Sequence, residues 1–218
     1  MDIRFDKEVI ISTGKVNLAG HLAIPSGANA IIIFSHGSGS SRFSKRNQQV
    51  AKYLHKRNLG TLLFDLLTEE EDKNYYNRFD IDLLAKRLAG ATEWLERFPA
   101  AKKCYTGYFG ASTGAASALK AAANLPRIGA IVSRGGRPDL AMHDLPKVKA
   151  PTLLIAGSLD YDVLQLNRAA HMQLKCEKKL EIVQGATHLF EEPGKMQVVS
   201  ELAGNWFEKY LNMVTIEK

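Results

Sequence analysis

The sequence has only two cysteines in 218 residues, Cys104 and Cys176. They lie far apart and match no metal-ligand spacing, which excludes a disulfide framework and a zinc ribbon or finger. Both are expected to be free, core or half-buried thiols. No apolar run approaches the roughly 18 residues a membrane span needs, and Met1 to Glu8 is charged where a secretory leader would be apolar. The expected location is therefore the cytoplasm, without membrane attachment. No internal repeat and no low-complexity tract is present. The dinucleotide fingerprint GxGxxG and the phosphate-loop pattern GxxxxGK are both missing, so no nucleotide cofactor is expected.

What is present is the balance of a packed globular protein, 45% hydrophobic and 24% charged residues, at a length that suits a single domain spanning residues 1–218. The net charge is +6. Arg42, Lys45 and Arg46 form one small basic cluster, and elsewhere lysines are interleaved with glutamates. There is no aromatic and basic stripe of the kind that binds single strands, so a solvated basic surface is expected and no nucleic-acid partner. The sequence leaves the oligomeric state open.

Along the chain, Glu8 to Thr13 and Leu18 to Pro25 alternate around a glycine turn and read as an antiparallel hairpin. Ala30 to Phe34 is a continuous apolar run, as expected of a strand buried on both faces. Strand and helix patterns then alternate. Helices are expected at Asn47 to Lys56, Asp80 to Phe98, Ser112 to Leu125, Val163 to Leu174 and Gln197 to Leu211. Strands are expected at Thr61 to Asp65, Cys104 to Phe109, Ile128 to Ser133, Pro151 to Ala156 and Leu180 to Val183. That order is satisfied by an α/β fold, a mostly parallel sheet with an antiparallel start and helices on both faces. Leu67 to Phe79 reads as irregular, either a solvated connector or a segment that roofs a site.

The chemistry concentrates in YFGASTG, Tyr108 to Gly114. A serine between glycines, after a buried strand and before a helix, has the pattern of a nucleophile elbow. The tight turn leaves no space for side chains two positions before and after Ser112, and Gly110 and Gly114 stand there. The bland alternative is a helix-capping serine. Two features favour the nucleophile. HGSG after the first buried strand can offer a backbone N–H to an oxyanion, which assigns the hole to Ser38 and Thr113. Downstream, Asp160 and His188 each follow a strand end, giving the order Ser, Asp, His at separations of 48 and 28 residues. Asp162 is a rival acid. His36, Arg42 and Arg134 are candidates on the substrate side. His36 can instead buttress its loop by hydrogen bonds, and either arginine can pair with an anionic substrate group or form a structural ion pair with Asp65 or another acid. Glu191 and Glu192 near His188 read as a solvated turn, and no metal or other cofactor is expected.

HGSGSSR, FDLLTEEE, DIDLLAKRL, GYFGASTGAA, VSRGGRPDL, APTLLIAGSLD and GATHLFEEPG, spread from Ile31 to Phe207, resemble the dienelactone-hydrolase-like family of α/β-hydrolases. The resemblance implies the α/β-hydrolase fold and hydrolysis of a small-molecule ester or lactone, with nucleophile, acid and base at Ser112, Asp160 and His188. Dienelactone hydrolases proper carry a cysteine in the elbow, whereas this chain is a serine version. Some relatives of that version resemble a module joined to phosphoribosyltransferases. An acyltransferase with the same triad, or a binding module on the same fold, are the alternatives.

Overall fold

A computed structural model describes residues 2–211. One eight-stranded sheet forms its centre. Its strands are β1 (Ile3–Thr13), β2 (Val16–Pro25), β3 (Ala30–Ser35), β4 (Gly60–Phe64), β5 (Tyr105–Ala111), β6 (Ala130–Arg134), β7 (Thr152–Gly157) and β8 (Lys178–Val183), in the order β1-β2-β4-β3-β5-β6-β7-β8. β1 pairs antiparallel with β2 and β2 with β4, and every later pairing is parallel. The helices are α1 (Lys45–Lys56), α2 (Glu69–Asp72), α3 (Ile81–Arg97), α4 (Thr113–Asn124), α5 (Tyr161–Gln173) and α6 (Lys195–Leu211).

The apolar run of β3 is buried along its whole length, and its alternating side chains feed two separate cores. Ile31 and Ile33 join Leu62, Tyr108, Ile131 and Leu154 beneath Leu84 and Leu88 of α3 and Leu119 of α4. Ile32 and Phe34 join Leu63, Phe109 and Val132 beneath Leu54 of α1 and Val199 and Phe207 of α6. A central parallel strand covered on both faces has no solvent side, so its sequence is apolar at every position rather than at every second one.

Two elements differ from the sequence reading. β1 starts at Ile3, upstream of Glu8, because β2 is long enough to hold it in register as far as the Ile3 and Pro25 pair. Within 67–79, the expected irregular segment contains α2 and a 3₁₀ turn at Tyr75–Phe79. α2 is a single turn held by a capping box: Thr68 Oγ1 accepts from the Glu71 N–H, and the Glu71 carboxylate accepts from the Thr68 N–H. Such a turn needs no apolar face, so no periodicity announces it. Cys104 and Cys176 are free and half-buried. Among the described residues no helix is long and apolar enough to cross a membrane.

Candidate active site

The parallel strands all end at one rim, and that rim gathers the singled-out residues. β5 ends at Ala111, and Ser112 follows with φ 51° and ψ −121°, a backbone conformation that side-chain-bearing residues rarely adopt. α4 starts at the next residue. The turn is fixed from outside by Ser112 N–H to Arg134 O (3.3 Å) and Arg137 N–H to Ser112 O (3.0 Å). Ser112 caps nothing with its side chain, which removes the helix-cap alternative. The glycine requirement is steric: a Cβ on Gly110 would stand 2.4 Å from Ala115 Cα, and one on Gly114 would stand 2.1 Å from Ser35 O and 2.4 Å from His36 O. Backbone atoms cannot yield to those contacts, so Gly114→Ala is expected to cost about 3 kcal/mol or more and to lower the Tm by roughly 6–12 °C. Thermal unfolding of that variant checks it.

On the far side of the rim, the loops after β7 and β8 are knitted together by Ser158 N–H to Val183 O, Leu159 N–H to Ala186 O and Gly185 N–H to Ser158 Oγ, at 3.0, 3.0 and 2.8 Å. This places Asp160 Oδ2 2.7 Å from His188 Nδ1. Asp160 is the residue before α5 but does not cap it, which leaves its carboxylate to the imidazole. The rival Asp162 lies in the first turn of α5, exposed, and makes no contact with His188. Ser112 and His188 line one cavity of about 230 Å³ together with Gly37, Ser38, Arg46, Asn47 and Arg134. Among the described residues the Ser112 hydroxyl has no hydrogen-bond partner, so no serine to imidazole hydrogen bond is closed.

The glycine loop after β3 lies against the elbow, with a Cβ on Gly37 only 3.2 Å from the Ser112 Cβ. The Ser38 N–H, expected to face an oxyanion, donates here to Thr113 Oγ1 (2.9 Å). An oxyanion could take that N–H only by displacing the threonine hydroxyl. Thr113 opens α4, so its own N–H is one of the first-turn donors that no helical carbonyl takes.

Of the substrate-side candidates, two are corrected. His36 does not line the cavity. Its Nδ1–H donates to Gly37 O (2.9 Å) and its Nε2 accepts from the Leu66 N–H (3.1 Å), so it braces the glycine loop as a neutral imidazole. Burial holds its pKa below the ordinary 6.5. The unfolded chain therefore binds the proton first: the stability from neutral His36 is fully present above about pH 6.5 and is lost as pH falls toward the folded-state pKa. His36→Gln is expected to flatten the decline of Tm between pH 6.5 and 5, as measured by thermal unfolding across that range. Arg42 is also structural. Its guanidinium pairs with Asp65 and approaches Glu8 (3.5 Å), its backbone N–H donates to Asp65 Oδ1 (2.7 Å), and it faces a different cavity. Arg134 alone of the three lines the Ser112 cavity. Residues 67–79 do not roof that cavity; they pack beside His36 and the outer side of the glycine loop.

Arg46 and Asn47 were not singled out as site residues by the sequence, although Arg46 stood in the basic cluster. Their place at the start of α1, directly after the glycine loop, is the signal that brings them to the rim. Among the described residues no group of three or more His, Cys, Asp or Glu is placed to hold a metal ion. Glu191 pairs with Arg46 and Glu192 accepts from Thr187.

A mostly parallel eight-stranded sheet with its sharp strand-to-helix turn after β5 defines the class: this is an α/β-hydrolase. No family model matches the chain. A solved structure of dienelactone hydrolase from Anabaena variabilis is 51% identical and superposes with a TM-score of 0.94, covering 97% of this chain and 100% of that one. The chain belongs to the dienelactone-hydrolase-like family. Est1E from Butyrivibrio proteoclasticus, 15% identical with a TM-score of 0.80 over 93% of this chain and 98% of that one, shares the fold. A Mycobacterium tuberculosis protein provisionally named a phosphoribosyl transferase, known from two strains, is 52% identical over 208 residues, 94% of this chain. The chain spans 47% of that protein's length.

Proposed function

We propose that the protein is a serine hydrolase of carboxylic esters or lactones. The observation that carries this reading is the joining of Asp160 to His188 at 2.7 Å, with His188 lining the cavity where Ser112 stands on its strained turn. A serine hydroxyl is a weak nucleophile at neutral pH and needs a base. As Ser112 Oγ attacks the carbonyl carbon, His188 Nε2 takes the hydroxyl proton, and Asp160 holds the ring with Nδ1 protonated and stabilises the imidazolium. The oxyanion that forms is met by the positive end of α4, through the Thr113 N–H, and by the Ser38 N–H once the Thr113 hydroxyl rotates away. The tetrahedral intermediate collapses by breaking the bond to the alkoxy oxygen, which leaves with the proton from His188. Water then gives a proton to His188 and attacks the acyl-enzyme, and the acid is released as Ser112 regains its proton.

The cavity of about 230 Å³ is smaller than the ~300–1,000 Å³ of typical pockets for drug-sized ligands, so the reading favours short acyl groups. The transferase name of the mycobacterial relative belongs to a protein about twice as long and does not by itself count for a transferase here. The test is labelling with a fluorophosphonate, followed by intact mass and peptide mapping, and then turnover of an ester series of rising chain length. A single adduct on Ser112 and turnover of the short esters are expected. An unlabelled protein that turns over no ester would end the proposal, and ester turnover without the serine adduct would remove Ser112 from it.

A further inference from the structure

One residue of the Ser112 cavity breaks the pattern of the helix that carries it. The inward stripe of α1 is Asn47, Val50, Ala51 and Leu54, spaced as the buried face of an amphipathic helix. The last three join the core on that side of the sheet. The first is an amide, only 3% exposed, at the end of the stripe that meets the cavity.

Asparagine is a poor helix former, and burying its amide without hydrogen bonds is costly. Among the described residues the Asn47 side chain has no hydrogen-bond partner at either end, and its Oδ1 is sealed from solvent. Asn167 of α5, the other buried asparagine among them, gives its NH₂ to Gly136 O and Val163 O at 3.0 and 2.8 Å and has only its oxygen left over. Asn47 has nothing comparable, although its backbone is fixed by the capping Ser44, whose Oγ accepts from the Asn47 N–H (3.4 Å). An amide kept in an apolar stripe, unpartnered and bordering a cavity, is a local conflict of the kind expected at functional positions. Ser38, Ser40 and Ser44 line the same cavity, and Ala111 and Leu189 are the only residues there with apolar side chains.

We propose that Asn47 binds a hydroxyl group of the substrate, so that the protein acts on short hydroxylated esters or lactones in preference to plain alkyl ones. The inference rests on Ser112 being the nucleophile of the same cavity. The terminal torsion of an asparagine is soft and roughly two-fold, so either the NH₂ or the Oδ1 can be turned to the cavity. A hydroxyl both donates and accepts and can bond either end, whereas a carboxylate or an ester carbonyl can only accept. An alkyl group at that point would expel water and leave the amide unpaired, which is the situation in which a polar site discriminates most strongly.

Three ester pairs, each replacing a hydroxyl by a methyl group, test it in a pH-stat: methyl lactate with methyl isobutyrate, methyl β-hydroxybutyrate with methyl isovalerate, and hydroxyethyl butyrate with propyl butyrate. Within at least one pair, the ratio of kcat/KM for the hydroxylated ester to that for its partner is expected to fall about five- to a hundredfold in Asn47→Leu and in Asn47→Ala, the range for leaving a buried polar group unpaired. The intrinsic reactivity of the esters cancels in that comparison with wild type. Asn47→Leu should also unfold at the same or a higher temperature, since it completes the apolar stripe, and Asn47→Ala serves if leucine does not fit. A fall in the ratio supports the proposal at any Tm. Ratios within about twofold of wild type for all three pairs in both variants would overturn it and, with a lowered Tm, make Asn47 a structural residue. Binding is read apart from turnover by saturation-transfer NMR of the same pairs on Ser112→Ala, with and without Asn47→Leu, and it decides the matter if no ester is turned over. The hydroxylated member is expected to bind more tightly only where Asn47 is present, and equal binding in both proteins would then overturn the proposal. Asn47-dependent binding in a protein that neither labels at Ser112 nor turns over any ester would end the hydrolase reading and leave the hydroxyl site. Ser112 labelling and ester turnover with unmoved ratios would do the reverse.

Discussion

Ser112→Ala is expected to lower kcat by about 10⁵ to 10⁶ on any ester the protein turns over, because the acyl-enzyme route is lost and only oxyanion stabilisation and binding remain. The variant should also fail to react with a fluorophosphonate while keeping a wild-type circular dichroism spectrum, since the Ser112 hydroxyl holds no hydrogen bond among the described residues. A residual rate within tenfold of wild type would remove Ser112 from the mechanism. The backbone offers a second, independent readout at the same position. At φ 51° and ψ −121° a non-glycine residue carries strain of roughly 1–3 kcal/mol. Ser112→Gly relieves that strain and incurs about 0.5–1 kcal/mol of extra chain entropy. The expected balance is a gain of about 1 kcal/mol, or some 2–4 °C in Tm, in a variant as inactive as Ser112→Ala. Activity lost and stability gained at one residue is what a turn kept for chemistry should show.

Asp160→Asn is expected to reduce kcat by about 10⁴. The amide keeps the size of the side chain, but it can offer its NH₂ to His188 Nδ1, which favours the tautomer with the proton on Nε2. That nitrogen then cannot accept the serine proton. Asp162→Asn, two residues on and on the exposed first turn of α5, should leave kcat within about twofold of wild type, as surface changes away from a site usually do. Steady-state kinetics on one short ester distinguishes the two, and equal losses in both variants would contradict the assignment of the acid.

Much of this architecture was legible along the chain because its causes are local. A strand with both faces covered is apolar at every position, so Ala30 to Phe34 declared itself. The elbow did so as well, because only glycine fits where a Cβ would meet the Ser35 and His36 carbonyls or the Ala115 Cα. Asp160 and His188 were found by their place after strand ends, since parallel strands deliver their following residues to one rim. What failed to show was of two kinds. The short α2 is held by hydrogen bonds within one turn and has no buried face, and so it lacks a periodic signal. The full length of β1 depends on its partner strand.

The arginines mark the boundary most clearly. Arg42 and Arg134 are the same residue type, each following or ending a parallel strand, and nothing local tells them apart. Glu8 of β1 and Asp65, just after β4, neutralise the first; among the described residues no acid pairs with the second. The same holds for His36, whose two ring nitrogens are committed by Gly37 and Leu66, and for the Ser38 N–H, taken by a hydroxyl 75 positions away. Residue order specified the strands, the turn and the three residues of the proposed chemistry, since steric fit and burial act over a few neighbouring positions. Which charges end up paired and which are left facing a cavity is a long-range electrostatic outcome, set only once distant segments share one rim.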